Sequence, residues 1–256
     1  MRWLERLNNS TPNTLQHGQE IALENCEIPV TLRRHPKARR LTLRVNATNR
    51  SAVITVPPSC SDRETLKFLN SHKSWLYQQV AKIPEPVPFS DQSVIPLRGT
   101  DHKINFAGAV RGKGVVWLEQ EETDLLPLIN VTGNAQFAPR RLKNWLIKQA
   151  RKDIYERSQW HANNLGLKFK KIMIKDQRSR WGSCSSNGVL SYSWRLILSP
   201  PEVLDYVAAH EVAHLQEMNH GPNFWALVHK TLPTYEGPKD WLRDNGTDLH
   251  RYGMQG

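Results

Sequence analysis

The most informative part of the chain is residues 207–225, VAAHEVAHLQEMNHGPNFW, where two histidines lie four positions apart in an apolar, alanine-rich run. In an α-helix, which advances roughly 100° per residue, His210 and His214 lie about 40° apart on one face. Two imidazoles one turn apart can bind a single Zn²⁺, and Glu211 beside the first can deprotonate a water molecule held there. The uncharged residues around them are typical of a buried helix. This HExxH pattern therefore predicts a metal site on a helix.

A third histidine follows at a spacing that suits the same metal. His220 comes after the predicted helix end near Asn219, and Pro222 then begins another helix. Three histidines with one open position are typical of a catalytic zinc, since structural zinc sites have four protein ligands. The alternatives are a cap on the helix end for His220 and, for the other two, core histidines beside an unpaired carboxylate, which is costly. We predict one Zn²⁺ per chain, held by His210, His214 and His220.

The charge of the chain is strongly basic and unevenly distributed. Among 256 residues, 35 Lys and Arg outnumber 24 Asp and Glu, which gives a net charge of +11. Residues 28–61 carry seven cations and no acid, residues 138–195 carry fourteen cations against three acids, and residues 196–256 carry four cations against eight acids. We expect the two basic stretches to bind nucleic acid non-specifically, although solvated helix and strand faces are the alternative for each. No helix-turn-helix, zinc-ribbon or RNA-recognition motif accompanies them.

Composition excludes several classes of protein. An apolar fraction of 39% with 23% charged residues excludes a disordered chain and a fibrous repeat. No apolar run approaches the roughly 18 residues of a membrane span, and residues 1–10, MRWLERLNNS, do not resemble a signal peptide. Cys26, Cys60 and Cys184 have no close pairing, which favours a reducing compartment. We therefore expect a cytoplasmic protein without a membrane segment.

The first half of the chain is predicted to be rich in strands. RRLTLRV at 39–45 and AVITV at 52–56 flank a short polar connection and predict a hairpin. A capping box, S-x-x-E, predicts a helix over 61–82. Short apolar runs separated by Gly and Asp predict further strands over 93–131. We expect a β-rich region with one helix at 1–135.

The second half is predicted to contain most of the helices. Helices are expected at 139–163, 201–218, 222–232 and 236–245, and strands at 168–175 and 188–195. We place a domain boundary near residue 135, so that a second domain covers 136–256 and contains the histidines. The whole chain is expected to be an α+β protein.

Three segments carry a family resemblance: RSRWGSCSSNG at 178–188, LSYSWRLILSP at 190–200 and HEVAHLQEMNHGPNFWALV at 210–228. Together they resemble the YgjP-type metallopeptidase-domain family, which is related to the SprT-like proteases and has a zincin fold. The resemblance implies a zincin-like domain of helices and a small antiparallel or mixed sheet, preceded by a β-rich region. It implies zinc ligands at His210, His214 and His220 and a general base at Glu211. Glu217 stands where metzincins require Gly, which argues against that group.

The RSRWGSC segment lies between two predicted strands and ahead of the predicted metal helix. Zincins hold an extended substrate against an edge strand, and if 188–195 is that edge, Arg180 and Trp181 lie at its entrance. The alternative is that both residues pack in the core or form ion pairs. Candidate donors to a developing oxyanion are Tyr192, Arg195 and Tyr235. The candidate substrate-binding residues are therefore Arg180, Trp181, Tyr192 and Arg195.

These features predict a zinc-dependent metallohydrolase, with a metallopeptidase acting on polypeptides as the first interpretation. Glu211 would take a proton from zinc-bound water and return it to the leaving amine. Two alternatives stay open. One is a nucleic-acid-associated protein, including a protease that acts on DNA-bound proteins. The other is a metal hydrolase acting on a non-peptide substrate such as a nucleotide phosphoanhydride, since zinc and a carboxylate do not by themselves dictate the bond cleaved.

Overall fold

The computed structural model describes residues 15–23, 26–46, 50–120, 126–177 and 179–253. Contacts divide the chain into two compact units, Met1–Pro84 and Glu85–Gly256, each with its own apolar core. The boundary that the sequence predicts near residue 135 does not coincide with this division and stays a prediction about separately folding domains. Within the described ranges, no helix combines the length and apolar character that crossing a membrane would require.

The first unit contains a four-stranded sheet covered by helices. Its strands are β1 (Glu20–Leu23), β2 (Cys26–Arg34), β3 (Thr42–Asn46) and β4 (Ser51–Val56), in the order β1-β2-β4-β3. β3 and β4 pair antiparallel, which confirms the predicted hairpin, whereas β2 runs parallel to β4. Leu32 and Ile54 are fully buried in one cluster with Leu69 and Leu76 from the helices.

The predicted helix over 61–82 is two helices, α1 (Asp62–Ser71) and α2 (Lys73–Ala81). The capping box is confirmed, because the Glu64 amide donates to Ser61 Oγ at 3.2 Å and the Ser61 amide donates to Glu64 Oε2 at 2.8 Å. His72 interrupts the helix with φ −106° and ψ 10°. Its ring stacks on Phe68 and its Nδ1 lies 2.8 Å from the Phe68 carbonyl oxygen. Such a local side-chain bond competes with regular helix, which pattern alone does not reveal.

The second unit contains two sheets. One is made of β5 (Val94–Leu97), β6 (Thr100–Gly108), β7 (Val116–Glu119) and β8 (Leu128–Thr132), in the order β5-β6-β8-β7. This confirms the strands predicted over 93–131. The other is made of β9 (Lys171–Lys175), β10 (Gly182–Cys184) and β11 (Val189–Ser193), in the order β10-β11-β9. β11 pairs antiparallel with β10 and parallel with β9, so this is a mixed sheet.

The helices of the second unit are α3 (Ala138–Leu165), α4 (Pro201–Ala213), α5 (Pro222–Thr231) and α6 (Glu236–Asn245). α3 buries a row of residues spaced by four, Leu142, Leu146, Ala150 and Ile154, and it ends at Gly166, whose φ is 69°. That left-handed conformation favours glycine and terminates the helix. α3 packs along α4, the helix that carries HExxH. Mixed helices and sheets make this the predicted α+β fold.

Two elements near the histidines end earlier than the sequence predicts. The strand expected at 188–195 ends at Ser193 and lies at the centre of its sheet, so it is not an edge that could receive a substrate strand. The helix expected at 201–218 ends at Ala213, because the chain turns there and the amides of Gln216 and Glu217 both donate to the Ala213 carbonyl.

A buried polar cluster joins α3, α4 and the end of α5. His161 is fully buried, its Nε2 donates to Asp205 Oδ1 at 2.8 Å, and its Nδ1 lies 2.8 Å from Thr231 Oγ1. Arg157 donates to the other oxygen of Asp205 at 2.9 Å. Burial alone would raise the pKa of Asp205, but the hydrogen bonds from His161 and Arg157 outweigh it and lower this pKa. We call these residues the helix clamp, since they connect α4 with its two neighbours, α3 and α5.

Candidate metal centre

The three histidines that the sequence predicts as ligands lie together. His210 is in the last turn of α4, His214 is the residue that caps it, and His220 lies two residues before α5. One ring nitrogen from each falls within 4.8 Å of the others, and Nε2 of His210 lies 3.0 Å from Nε2 of His220. His214 keeps helical dihedrals, φ −64° and ψ −14°, so the one-turn spacing survives although the helix has ended.

The turn after α4 orients His214. Its Nδ1–H donates to the Glu217 carbonyl oxygen at 2.9 Å. A proton fixed on Nδ1 leaves the Nε2 lone pair free, which is the arrangement expected of a metal-binding imidazole. In the sequence, Glu217 argues only against a metzincin. The bond from its carbonyl oxygen to His214 was not predicted, because a backbone carbonyl has no sequence signature.

Phe224 supports all three imidazoles. Its ring centroid lies 4.8 Å from His210, 4.5 Å from His214 and 4.7 Å from His220, and the side chain is fully buried. Aromatic rings at such separations contribute beyond simple area burial. Phe224 lies in the segment 210–228 that carries the family resemblance, but no function was predicted for it.

An aromatic wall stands beside the imidazoles. Tyr235 stacks between Tyr206 and Trp225. Its ring centroid lies 6.4 Å from that of Tyr206 and 5.4 Å from that of Trp225, and both interplanar angles are 18°. The Tyr206 hydroxyl lies 3.5 Å from Nδ1 of His210, and Lys239 Nζ lies 4.4 Å from the Trp225 centroid. Burial, with Glu211 and Tyr235 nearby, raises the pKa of Tyr206 to about 12. This wall limits one side of the site with flat apolar surface.

Burial keeps two of the three imidazoles in the neutral form that binds metals. It lowers the pKa of His210 to about 3, with further lowering from His214, His220 and Lys239. The pKa of His214 is also lowered, chiefly by burial, although the bond to the Glu217 carbonyl opposes this. Neutral imidazole is the metal ligand, so these two side chains need no deprotonation near neutral pH.

Glu211 lies against the strand β10. Its side chain is 5% exposed, and a Cβ placed on Gly182 would lie 2.4 Å from Glu211 Oε1, so only glycine leaves room for this carboxylate. Among the described residues, Oε2 of Glu211 has no hydrogen-bond partner. Burial raises the pKa of Glu211 to about 8, and the positive charge of Arg180 opposes the rise. Gly182 belongs to RSRWGSC, yet its contact with Glu211 was not predicted.

The predicted substrate-binding residues separate into two pairs. Arg180 is exposed and lies two residues before β10, and Trp181 is partly buried and stacks on His250 with centroids 4.8 Å apart. Tyr192 is fully buried with its hydroxyl 3.0 Å from Ser158 Oγ, and Arg195 is 2% exposed with Nε 3.3 Å from Asp176 Oδ1. The interpretation of Tyr192 and Arg195 as substrate contacts is therefore corrected, because both side chains are enclosed in the core.

The donor set fits a divalent metal ion. Two nitrogens at the usual zinc distance of about 2.0–2.1 Å in a tetrahedral site lie roughly 3.3 Å apart, close to the 3.0 Å between His210 and His220. Three imidazoles would leave a fourth position for water or substrate, and Oε2 of Glu211 has no hydrogen-bond partner among the described residues. Cys184 does not belong to the group of converging ligand atoms, and burial raises the pKa of its thiol to about 11.

A helix that presents two imidazoles and the intervening carboxylate, followed by a third imidazole from the next loop, is the arrangement typical of metal-dependent peptidases. Within that class, the chain belongs to the YgjP-like family, whose metallopeptidase-domain model matches residues 39–245. Among solved structures, the metallopeptidase zymogen of Pyrococcus abyssi abylysin is 22% identical, with 39% of this chain and 97% of that chain covered at a TM-score of 0.34. No curated protein matches the chain.

Proposed function

We propose that the protein is a zinc peptidase in which His210, His214 and His220 hold the metal and Glu211 is the general base. The observation that carries the proposal is the convergence of three ring nitrogens within 4.8 Å, next to a buried carboxylate with a free oxygen. A zinc ion held there would polarise the scissile carbonyl and lower the pKa of water. Membership of a metallopeptidase family supports the same chemistry.

Glu211 is the residue that moves the proton. Its Oε2 has no partner among the described residues. Burial raises the pKa of Glu211, and a cation held by the histidines would oppose that rise, so the ionised carboxylate could accept a proton from the attacking water. It then returns that proton to the leaving amine. The absence of a Cβ at Gly182 leaves the space that this carboxylate occupies.

The polypeptide substrate is proposed to bind along β10. Among the described strands β10 pairs only with β11, so one edge is available for an added strand. Backbone hydrogen bonds to such an edge hold a peptide with little dependence on its side chains. Gly182 places this edge beside Glu211, and the exposed Arg180 precedes it. Arg180 and Trp181 therefore remain proposed substrate contacts.

The decisive experiment is Glu211→Gln, measured with zinc content and peptide turnover together. We expect about one zinc per chain in the wild type and in the variant, and a loss of turnover of at least about 100-fold in the variant. A Gln variant that keeps its zinc and full turnover would exclude Glu211 as the base. A peptide library and a nucleotide panel are tested in parallel, and hydrolysis of nucleotides alone would contradict the peptidase assignment.

The ligand assignment is tested by His220→Ala against His229→Ala, a matched change in an exposed histidine of α5. We expect the first variant to lose zinc and the second to keep it. Equal zinc content in both variants would show that His220 is not a ligand.

A further inference from the structure

A basic groove runs between α3 and β9, away from the histidines. It encloses about 860 Å³ and is lined by five cations, Lys148, Arg151, Lys152, Lys170 and Lys171, with Glu156 as its single acid. Three of the cations come from the helix and two from the other wall, so positive charge faces the groove from both sides. None of the three proposed zinc ligands lines this groove.

The cations of the groove have no ion-pair partner among the described residues, in contrast to their neighbours. On the same helix, Lys143 pairs with Asp176 at 2.9 Å and Arg157 pairs with Asp205. Lys148, Arg151 and Lys152 lie between these two and are exposed. The acids of this region therefore neutralise the cations that flank the groove and leave those inside it free. Such a field attracts an anionic ligand.

Aromatic side chains lie among these charges. Tyr155 is 53% exposed, and Phe169 meets it edge to face with centroids 6.1 Å apart and planes at 89°. An exposed tyrosine held by a second ring offers a flat apolar face in a groove of positive charge. Proteins that bind single-stranded nucleic acid combine these two features, since cations follow the phosphates and aromatic rings stack with bases.

We propose that this basic groove binds single-stranded nucleic acid without sequence specificity. A duplex would use the cations but leave the aromatic face unused, because its bases are already stacked. An acidic peptide or an anionic membrane would likewise need only charge. The concave shape and the exposed Tyr155 favour an unpaired strand. This inference does not depend on the metal centre.

The test measures binding of the full chain to a fluorescent oligothymidylate and to a blunt duplex of equal length, between about 50 and 200 mM salt. We expect tighter binding of the single strand, weakening with salt at a slope of roughly −0.7 per phosphate contact. Tyr155→Ala should weaken single-strand binding roughly tenfold, Tyr155→Phe should retain it, and neither should alter duplex binding. Equal affinity for both nucleic acids, or no effect of Tyr155→Ala, would overturn the proposal.

A second experiment tests whether binding depends on the cations of this groove or only on the net charge of the chain. Lys148, Lys152 and Lys171 are changed together to Gln, and the control changes the exposed Lys67, Lys82 and Lys230 in the same way. Both variants lose three charges, and we expect only the first to lose most single-strand binding. Equal loss in both variants, or binding to anionic phosphatidylserine vesicles without binding to the oligonucleotide, would refute the proposal. Circular dichroism and thermal unfolding check that each variant is folded.

Discussion

Phe224 carries no titratable group, yet its ring centroid lies within 4.8 Å of all three imidazoles. We expect Phe224→Ala to lower the free energy of unfolding by about 3–5 kcal/mol, the usual result of emptying a buried aromatic site. Zinc affinity should fall as well, because the imidazoles lose the surface that orients them. Calorimetry and zinc titration measure both effects.

Phe137→Ala is the matched control for Phe224, since Phe137 is 41% exposed and lies outside the histidine cluster. It should change the free energy of unfolding little and zinc affinity not at all. If Phe224→Ala lost stability but bound zinc as tightly as this control, the ring would be a core residue and no support for the ligands.

Gly182 matters because it has no side chain. A Cβ there would lie 2.4 Å from Glu211 Oε1, so Gly182→Ala must displace the carboxylate. Because misplacing a catalytic group by about 1 Å can cost 100-fold, we expect a turnover loss of that order with zinc content unchanged. Gly237→Ala, where a Cβ would meet nothing within 4 Å, should leave turnover intact. Equal turnover in the two variants would show that β10 does not position Glu211.

At the scale of the element, the sequence predicted the helix that carries His210 but not where it ends. Gln216 and Glu217 are compatible with more helix, but the chain turns after Ala213, where the local bond from His214 to the Glu217 carbonyl stabilises the turn. Such a side-chain to backbone bond competes with regular helix and is not visible in the residue pattern. Likewise, the strand at 189–193 was predicted, but its central place in the sheet was not. Pairing partners are set by distant segments, which polarity alternation does not specify.

The helix clamp makes stability depend on pH. The pKa of Asp205 is lower in the folded chain than the roughly 3.9 of an unfolded aspartate, so its stabilising contribution is complete above that value and disappears as the pH falls through the folded pKa. Asp205→Asn should lower the free energy of unfolding by about 1–3 kcal/mol at pH 7. It should also reduce the decline in this free energy between about pH 5 and 2.

Urea unfolding at a series of pH values measures this slope, and Asp240→Asn on the surface is its control. Asp240 has a side chain that is 54% exposed and lies outside the clamp, so its variant should follow the wild type. A slope unchanged by Asp205→Asn would mean that the clamp does not contribute to acid unfolding.

At the scale of the whole molecule, the net charge of +11 is spread over cations with different surroundings. The sequence located the basic stretch at 138–195, but it could not separate cations that pair with acids from those that stay free. That separation depends on which acids the fold brings near, as Asp176 does for Lys143. Five cations without an ion-pair partner among the described residues line one groove together with the exposed ring of Tyr155: Lys148, Arg151, Lys152, Lys170 and Lys171. The proposed metal centre is instead made of three imidazoles and one carboxylate.

The boundary predicted near residue 135 and the division into compact units at residue 84 imply different smallest fragments that fold and contain the histidines. Ile104 and Ile129 of the sheet β5–β8 are fully buried in the same cluster as Leu142 and Leu146 of α3. A fragment of residues 136–256 would expose that face of α3, whereas residues 85–256 keep it covered. We expect only the longer fragment to unfold cooperatively and to bind about one zinc ion.

Thermal unfolding and zinc titration of both fragments, with the full chain as reference, decide between these boundaries. Exposing several fully buried side chains costs on the order of 1.5–3 kcal/mol each, comparable in total with the whole stability of a domain. The shorter fragment should therefore lack a cooperative transition even with zinc present. If it unfolds as cooperatively as residues 85–256 and binds zinc as tightly, the boundary near 135 is correct, and the sheet β5–β8 is dispensable for folding the metal centre.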